Sequence, residues 1–115
     1  MSKKTWGYKI LAYKLRINPL AQEDLRGIKE YIEKDDSDAA IKIIKELLEK
    51  MELLKQFPEL GQMLMYKINI NTKYRYVVVG SYLIFYLFED NTISIQRVLR
   101  GSRDYISLFN EYFPN

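Results

Sequence analysis

The chain has 115 residues, a net charge of +3, and neither histidine nor cysteine. That is the length of one domain with a single core. The missing residue types remove disulfides, thiolate and imidazole metal ligands, and Ser–His or Cys–His nucleophilic catalysis, so any chemistry falls to Lys, Arg, Tyr, Asp and Glu.

Residues 1–17 carry five bases (Lys3, Lys4, Lys9, Lys14, Arg16) and no acid. Residues 18–60 hold eleven acids against seven bases, and residues 61–115 hold six bases against four acids. Basic ends flanking an acidic middle suggest a basic face that meets something anionic. No apolar run long enough for a signal peptide or membrane span follows the basic start, so the expectation is a cytoplasmic protein.

Residues 1–12 are expected to be an N-terminal extension and the start of a first strand, with a single domain over 13–113. Tyr13, Leu15 and Ile17 share one face at period two, the clearest part of a strand spanning Tyr8–Ile17. Asn18-Pro19 then opens a helix, Asn as cap and Pro at the first position. Ala21, Leu25, Ile28 and Ile32 form its apolar stripe. Lys34-Asp35-Asp36 ends it, and Ser37 or Asp38 caps a longer helix. That helix carries the stripe Ala40, Ile43, Ile44, Leu47, Leu48, Met51, Leu54 and Phe57, and stops at Pro58 and Gly61. The short link makes the pair an antiparallel hairpin.

Beyond Gly61 the period changes. Met65–Ile70 is a weak strand candidate and Lys73–Val79 a strong one, followed by a tight turn at Gly80-Ser81, then Tyr82–Phe88, a turn at Glu89-Asp90-Asn91, and Thr92–Leu99. Ser102 or Asp104 caps a short last helix, Tyr105–Tyr112. The order implies an α+β fold: an N-terminal strand, a two-helix hairpin, a mostly antiparallel sheet of three to four further strands and a short C-terminal helix. The helices are expected on one face of the sheet.

Arginine in a half-buried strand needs an anion for its planar fork. By alternation Arg75 shares a face with Val77 and Val79, and Arg97 a face with Ile93, Ile95 and Leu99. Arg100 and Arg103 flank Gly101, where the last strand turns into the last helix. Adjacent strands would then gather Arg75, Arg97 and Arg103, with Lys67 and Lys73 nearby, into a basic surface edged by Tyr74, Tyr76 and Tyr105. Cations for phosphates and rings for bases are what single-stranded RNA requires. The plainer reading pairs these arginines with the acidic helices and puts the tyrosines in the core; for Arg97 and Tyr76 the two readings stand level. The acids of the hairpin (Glu23, Asp24, Glu30, Glu33, Asp35, Asp36, Asp38) read as a solvated face; the rival, a carboxylate pair as general base or a metal site, is disfavoured because their spacing does not focus on one point, so no metal and no cofactor is expected.

In order along the chain, Tyr13-Lys14-Leu15-Arg16-Ile17-Asn18-Pro19-Leu20-Ala21, Phe57-Pro58-Glu59-Leu60-Gly61, Tyr74-Arg75-Tyr76, Val79–Tyr86 and Arg97–Tyr105 resemble the RelE/ParE superfamily, the toxins of bacterial type II toxin–antitoxin modules. The resemblance covers residues 13–109. It implies a growth inhibitor of the plasmid-stabilisation type, neutralised by a cognate antitoxin in a hetero-oligomer, with no membrane partner. The longer hairpin and the Tyr82–Tyr86 and Arg97–Asp104 segments look more like the ParE branch, which poisons DNA gyrase. The alternative is the RelE branch, a ribosome-dependent mRNA endoribonuclease. By position that branch implies catalytic roles for Arg75 and Arg103, with Lys67 or Tyr105 moving protons. Lys73, Tyr74, Arg97 and Arg100 would bind the nucleic acid or other target. The late tyrosine of that branch falls near Phe109 here. A third alternative is a non-toxic relic that only binds antitoxin.

Overall fold

The computed structural model describes residues 13–101 and 104–113. The part of the expected first strand before Tyr13 lies outside them.

Strand β1 (Lys14–Ile17) leads directly into helix α1 (Pro19–Glu33), and helix α2 (Ser37–Gln56) returns antiparallel to it. Pro19 fixes the first helical φ and has no N–H to leave unpaired, which makes it a good helix opener. Asn18 holds the cap position but makes no side-chain cap bond; Gln22 Nε2 donates instead to the Ile17 carbonyl, at 2.8 Å. The cap of α2 is Asp36, neither Ser37 nor Asp38. Its extended backbone lets the carboxylate accept the Ala39 N–H at 3.0 Å.

After α2, a two-residue strand β2 (Gln62–Met63) runs into a one-turn helix α3 (Leu64–Ile68). The weak strand expected over Met65–Ile70 is thus mostly helical. Its apolar residues Leu64 and Ile68 are buried at spacing four, the period of a helix, and Asn69 closes the turn in the left-handed region at φ 57°. Strands β3 (Arg75–Val79), β4 (Tyr82–Glu89) and β5 (Thr92–Arg100) form a meander, and helix α4 (Tyr105–Tyr112) ends the described chain. Both turn residues between β4 and β5 have positive φ, Asp90 at 53° and Asn91 at 59°, as a tight two-residue hairpin turn demands.

The five strands lie in the order β1-β5-β4-β3-β2, with β1 parallel to β5 and every other pair antiparallel. The helices do not share one face. The hairpin covers one side of the sheet, where Ala21, Leu47, Met51 and Leu54 pack on Val77, Val79, Ile84, Tyr86, Ile93, Ile95 and Val98. Helices α3 and α4 cover the other side, over Tyr76, Leu83, Phe85 and Leu99. The run Tyr82–Tyr86 is buried on both sides, so β4 is the central strand of a three-layer domain.

A bulge in β5 has consequences for the site. Phe85 pairs with Arg97, but the next residue, Tyr86, pairs with Ile95, leaving Gln96 without a partner. The extra residue inverts the alternation beyond it. Ile93 and Ile95 face the hairpin, whereas Leu99 faces α4 and Val98 takes over the hairpin side. Arg97 therefore does not share a face with Ile93 and Ile95.

Helix α4 is held at its start by Asp104, whose carboxylate accepts from the Ser107 N–H at 3.0 Å and the Ser107 hydroxyl at 2.7 Å. These bonds hold its pKa below the usual aspartate value. A lowered folded-state pKa adds stability that is present above the unfolded pKa and lost as pH falls through the folded one. Acidification below the ordinary value of 3.8 is accordingly expected to loosen α4 first. Asp104→Ala should show the looser α4 already at neutral pH, with faster amide exchange over residues 105–112 than in the parent and no further acid step. Equal exchange in the two proteins would remove Asp104 as the determinant.

Candidate functional site

The strand arginines are placed by the bulge and by the ends of the sheet. β1 stops at Ile17, opposite Ile95, so beyond that point β5 keeps β4 on one side and, among the described residues, has no strand on the other. Asp24 of α1 takes the neighbour's place. Its Oδ2 accepts the Val98 N–H at 2.9 Å and Arg97 Nε at 2.8 Å, and its Oδ1 accepts Arg97 Nη2 at 2.8 Å. The pair is bidentate and mostly buried, with the side chains 16% and 14% exposed. Tyr112 lies over the guanidinium at 5.0 Å, tying α4 into the same junction. The bond to Asp24 is the main reason that the Arg97 pKa is raised further.

Asp24 is therefore no part of a solvated acidic face. It follows Ala21 by three residues and precedes Ile28 by four, which places it on the apolar stripe of α1. An acid on that stripe is the sequence signal for a buried cationic partner.

Arg75, at the start of β3, donates from Nη1 to the Gly61 carbonyl at 2.8 Å and lies 4.0 Å from the Glu59 carboxylate. Gly61 is also held from the other side. Its N–H donates to the Tyr86 hydroxyl at 2.8 Å, and that hydroxyl donates to the Pro58 carbonyl at 2.7 Å. Burial raises the Tyr86 pKa, and the Gly61 N–H partly opposes the rise. Arg75 and Tyr86 thus pin the segment 57–61 against the sheet. Gly61 and Tyr86 carry no site role in the sequence pattern, although the Pro58-Glu59-Leu60-Gly61 break marks where the pinning occurs.

The remaining site residues lie mainly on the α4 side. Tyr76 packs edge-on against Tyr105 at 5.2 Å, and Tyr74 packs on Phe109 and Phe113. Burial raises the pKa of both Tyr74 and Tyr76. Lys67 of α3 is exposed and holds its ammonium 5.0 Å from the Tyr105 ring centre. Tyr105 in turn lines a groove of about 330 Å³ with Arg100, Val78 and the Gly80-Ser81 turn. Lys73 stands apart, paired with Glu89 at 3.4 Å. Arg103 lies outside the described residues.

The expected single basic surface is therefore divided. Lys67 and Arg100 each adjoin Tyr105, with Val78 exposed in the groove that Arg100 and Tyr105 line. Arg75 is on the hairpin side and Arg97 at the β5 edge, each engaged by the protein itself. The convergent group offers two cations, a ring and an apolar rim, which suits an anionic partner surface or a nucleic-acid backbone. Among the described residues, no helix is long and apolar enough to cross a membrane.

The fold is shared with known proteins. A chain of the chromosomal ParDE toxin–antitoxin system from P. aeruginosa superposes with a TM-score of 0.64 at 18% identity, covering 79% of this chain and 98% of that one. A chain of the toxin–antitoxin complex RelBE2 from Mycobacterium tuberculosis gives 0.50 at 19% identity, covering 78% and 99%. No curated protein matches the sequence significantly. The family model for the ParE toxin of the type II toxin–antitoxin system parDE matches residues 15–105, from β1 to the first residue of α4, and the chain belongs to that family of toxins.

Proposed function

We propose that this toxin arrests growth by poisoning DNA gyrase through a protein-binding surface, and that a cognate antitoxin neutralises it in a hetero-oligomer. The observation that carries the reading is the engagement of the two strand arginines. A nuclease without histidine relies on cations aimed at the scissile phosphate. Here Arg97 is clasped by Asp24 and Arg75 by the Gly61 carbonyl, on different sides of the sheet. The surface left for a target is Lys67, Tyr105 and Arg100, with Tyr74 packed on the same side of the sheet. The antitoxin partner is supported by family membership and by the toxin–antitoxin systems that share the fold.

One contact favours the RelE-like alternative. Lys67 beside the Tyr105 ring is a cation–phenol pair suited to moving a proton from the RNA's own 2′-hydroxyl, as it attacks the adjacent phosphate, to the 5′-oxygen that leaves as the P–O5′ bond breaks. In that case Arg75 and Arg103 would stabilise the phosphate.

Inducible expression in a bacterium, with mapping of new transcript 5′ ends and a DNA-damage reporter, separates the readings. The expected result is arrest with intact mRNA, an induced damage response and accumulated gyrase–DNA cleavage complexes. Tyr105→Ala and Arg100→Ala should each weaken inhibition by about tenfold or more, as interface anchors do. Cuts at codon boundaries, lost in a folded Arg75→Lys or Arg103→Ala variant, would overturn the gyrase reading in favour of the nuclease. No arrest from soluble, folded protein would leave an antitoxin-binding relic.

A further inference from the structure

Strand β1 begins level with the start of β5. Its first pair is Lys14 with Thr92, and β5 begins at Thr92, directly after the Asp90-Asn91 turn. Lys14 N–H already donates to the Asn91 carbonyl at the turn, and Tyr13 N–H donates to the Lys55 carbonyl near the end of α2, both at 3.0 Å. Tyr13, where the described chain begins, therefore stands beside the C-terminal end of α2.

A groove of about 560 Å³ opens at that point, lined by Tyr13, Phe57, Pro58, Glu59, Leu60 and Phe88. Its rim is apolar and uncovered: Phe57 is 55% and Leu60 45% exposed. Tyr13 meets Phe88 edge-to-face at 5.1 Å, giving the groove an aromatic wall. Glu59 adds an exposed carboxylate whose paired cation, Arg75, stands at the limit of 4.0 Å.

We propose that this groove is a docking site for the chain's own residues 1–12, with Trp6 as the anchor. The segment carries Trp6, Tyr8, Ile10 and Leu11 as apolar groups, and Lys3, Lys4 and Lys9 as cations opposite Glu59. Tyr13 belongs to both the segment's exit and the groove's wall, so no linker has to be spanned. The seven residues from Trp6 to Tyr13 reach at most about 25 Å, enough to fold back over Phe57 and Leu60. An indole can bury roughly 150–250 Å² there, a larger apolar gain than any other residue of the segment offers. This proposal stands independently of the toxin's target.

Trp6 is the sole tryptophan, so the intrinsic fluorescence of the full chain reads the proposal directly. The expected result is blue-shifted emission with acrylamide quenching several-fold below that of a free peptide of residues 1–12. Both properties should move toward the peptide's values in Phe57→Ser and in Leu60→Ser, two substitutions at exposed positions. Ile41→Ser, on the outer face of the hairpin, should leave them unchanged. Emission and quenching equal to the peptide's would overturn the proposal, as would protection abolished by Ile41→Ser but kept in both groove variants. Protection that disappears on dilution, together with a fall in sedimenting mass, would make the occupant a second copy and equally overturn it.

Discussion

Asp24→Ala is expected to destabilise the protein by about 3 kcal/mol, near the lower end of the range for breaking a buried ion pair. The loss exceeds that of a surface pair because three donors converge on one carboxylate. Without it, Arg97 keeps its charge in a site that is only 16% exposed, and the Val98 N–H loses its acceptor on a strand edge that no other strand among the described residues covers. Asp24→Asn should fall between, since the amide oxygen can still accept from Val98 but cannot serve both arms of the guanidinium. Arg97→Met should cost less than Asp24→Ala. The carboxylate loses its cation but keeps the Val98 N–H, and the methionine stem can still pack on Tyr112. Combining Asp24→Ala with Arg97→Met should therefore be less harmful than the sum of the two, the signature of a coupled pair. Urea midpoints of the four proteins measure this. A change for Asp24→Ala within about 0.5 kcal/mol of the parent, the range of ordinary surface substitutions, would show that the clasp contributes nothing to stability.

That clasp also marks the limit of what could be read along the chain. The helix hairpin and the three-strand meander were legible because their apolar periods are long and their breaks fall at Pro, Gly and Asn. The weak strand expected over Met65–Ile70 proved mostly helical because one turn of helix and a short strand bury similar apolar runs, and only the spacing of Leu64 and Ile68 separates them. The position of Arg97 was misjudged for a different reason. A bulge of one residue at Gln96 inverts every face beyond it, and no residue type announces a bulge. The side of the sheet that α4 covers followed from the same inversion, since Leu99 joins its cluster and Tyr112 reaches Arg97. Among the site residues, the grouping of Lys67, Tyr105 and Arg100 depends on α3 and α4 packing side by side on one face of the sheet. Local pattern carries no information about that contact.

Gly61→Ala is the second substitution with a large expected effect, a loss of about 3 kcal/mol or more from overpacking combined with broken hydrogen bonds. A β-carbon there would stand 2.5 Å from the Tyr86 hydroxyl, 2.6 Å from its ring and 2.8 Å from the Tyr76 carbonyl oxygen. Two of the three are atoms of a fully buried ring and the third is backbone, so none can yield as the tip of a flexible chain would. If the segment 57–61 moves instead, the Tyr86 bonds to Gly61 and Pro58 and the Arg75 bond to Gly61 are lost together. Tyr86→Phe separates these causes. Alone it should cost about 1–3 kcal/mol, because the Pro58 carbonyl and the Gly61 N–H lose a buried partner. In the Gly61→Ala background it should cost much less, since removing the hydroxyl clears the closest clash. Tyr86 also sets a pH dependence. Its folded pKa lies above the ordinary 10.0, so its contribution is complete below that value and is lost as pH rises through the folded one. Tyr86→Phe should flatten the alkaline fall in stability, though not abolish it, because Tyr74, Tyr76 and Tyr112 are raised too. Additive losses for Gly61→Ala and Tyr86→Phe would refute the shared knot. Coupled losses would mean that any effect of Arg75→Ala on toxicity must first be corrected for a loosened 57–61 segment, which is why Arg75→Lys, able to keep a donor near the Gly61 carbonyl, is the more informative probe of chemistry at this position.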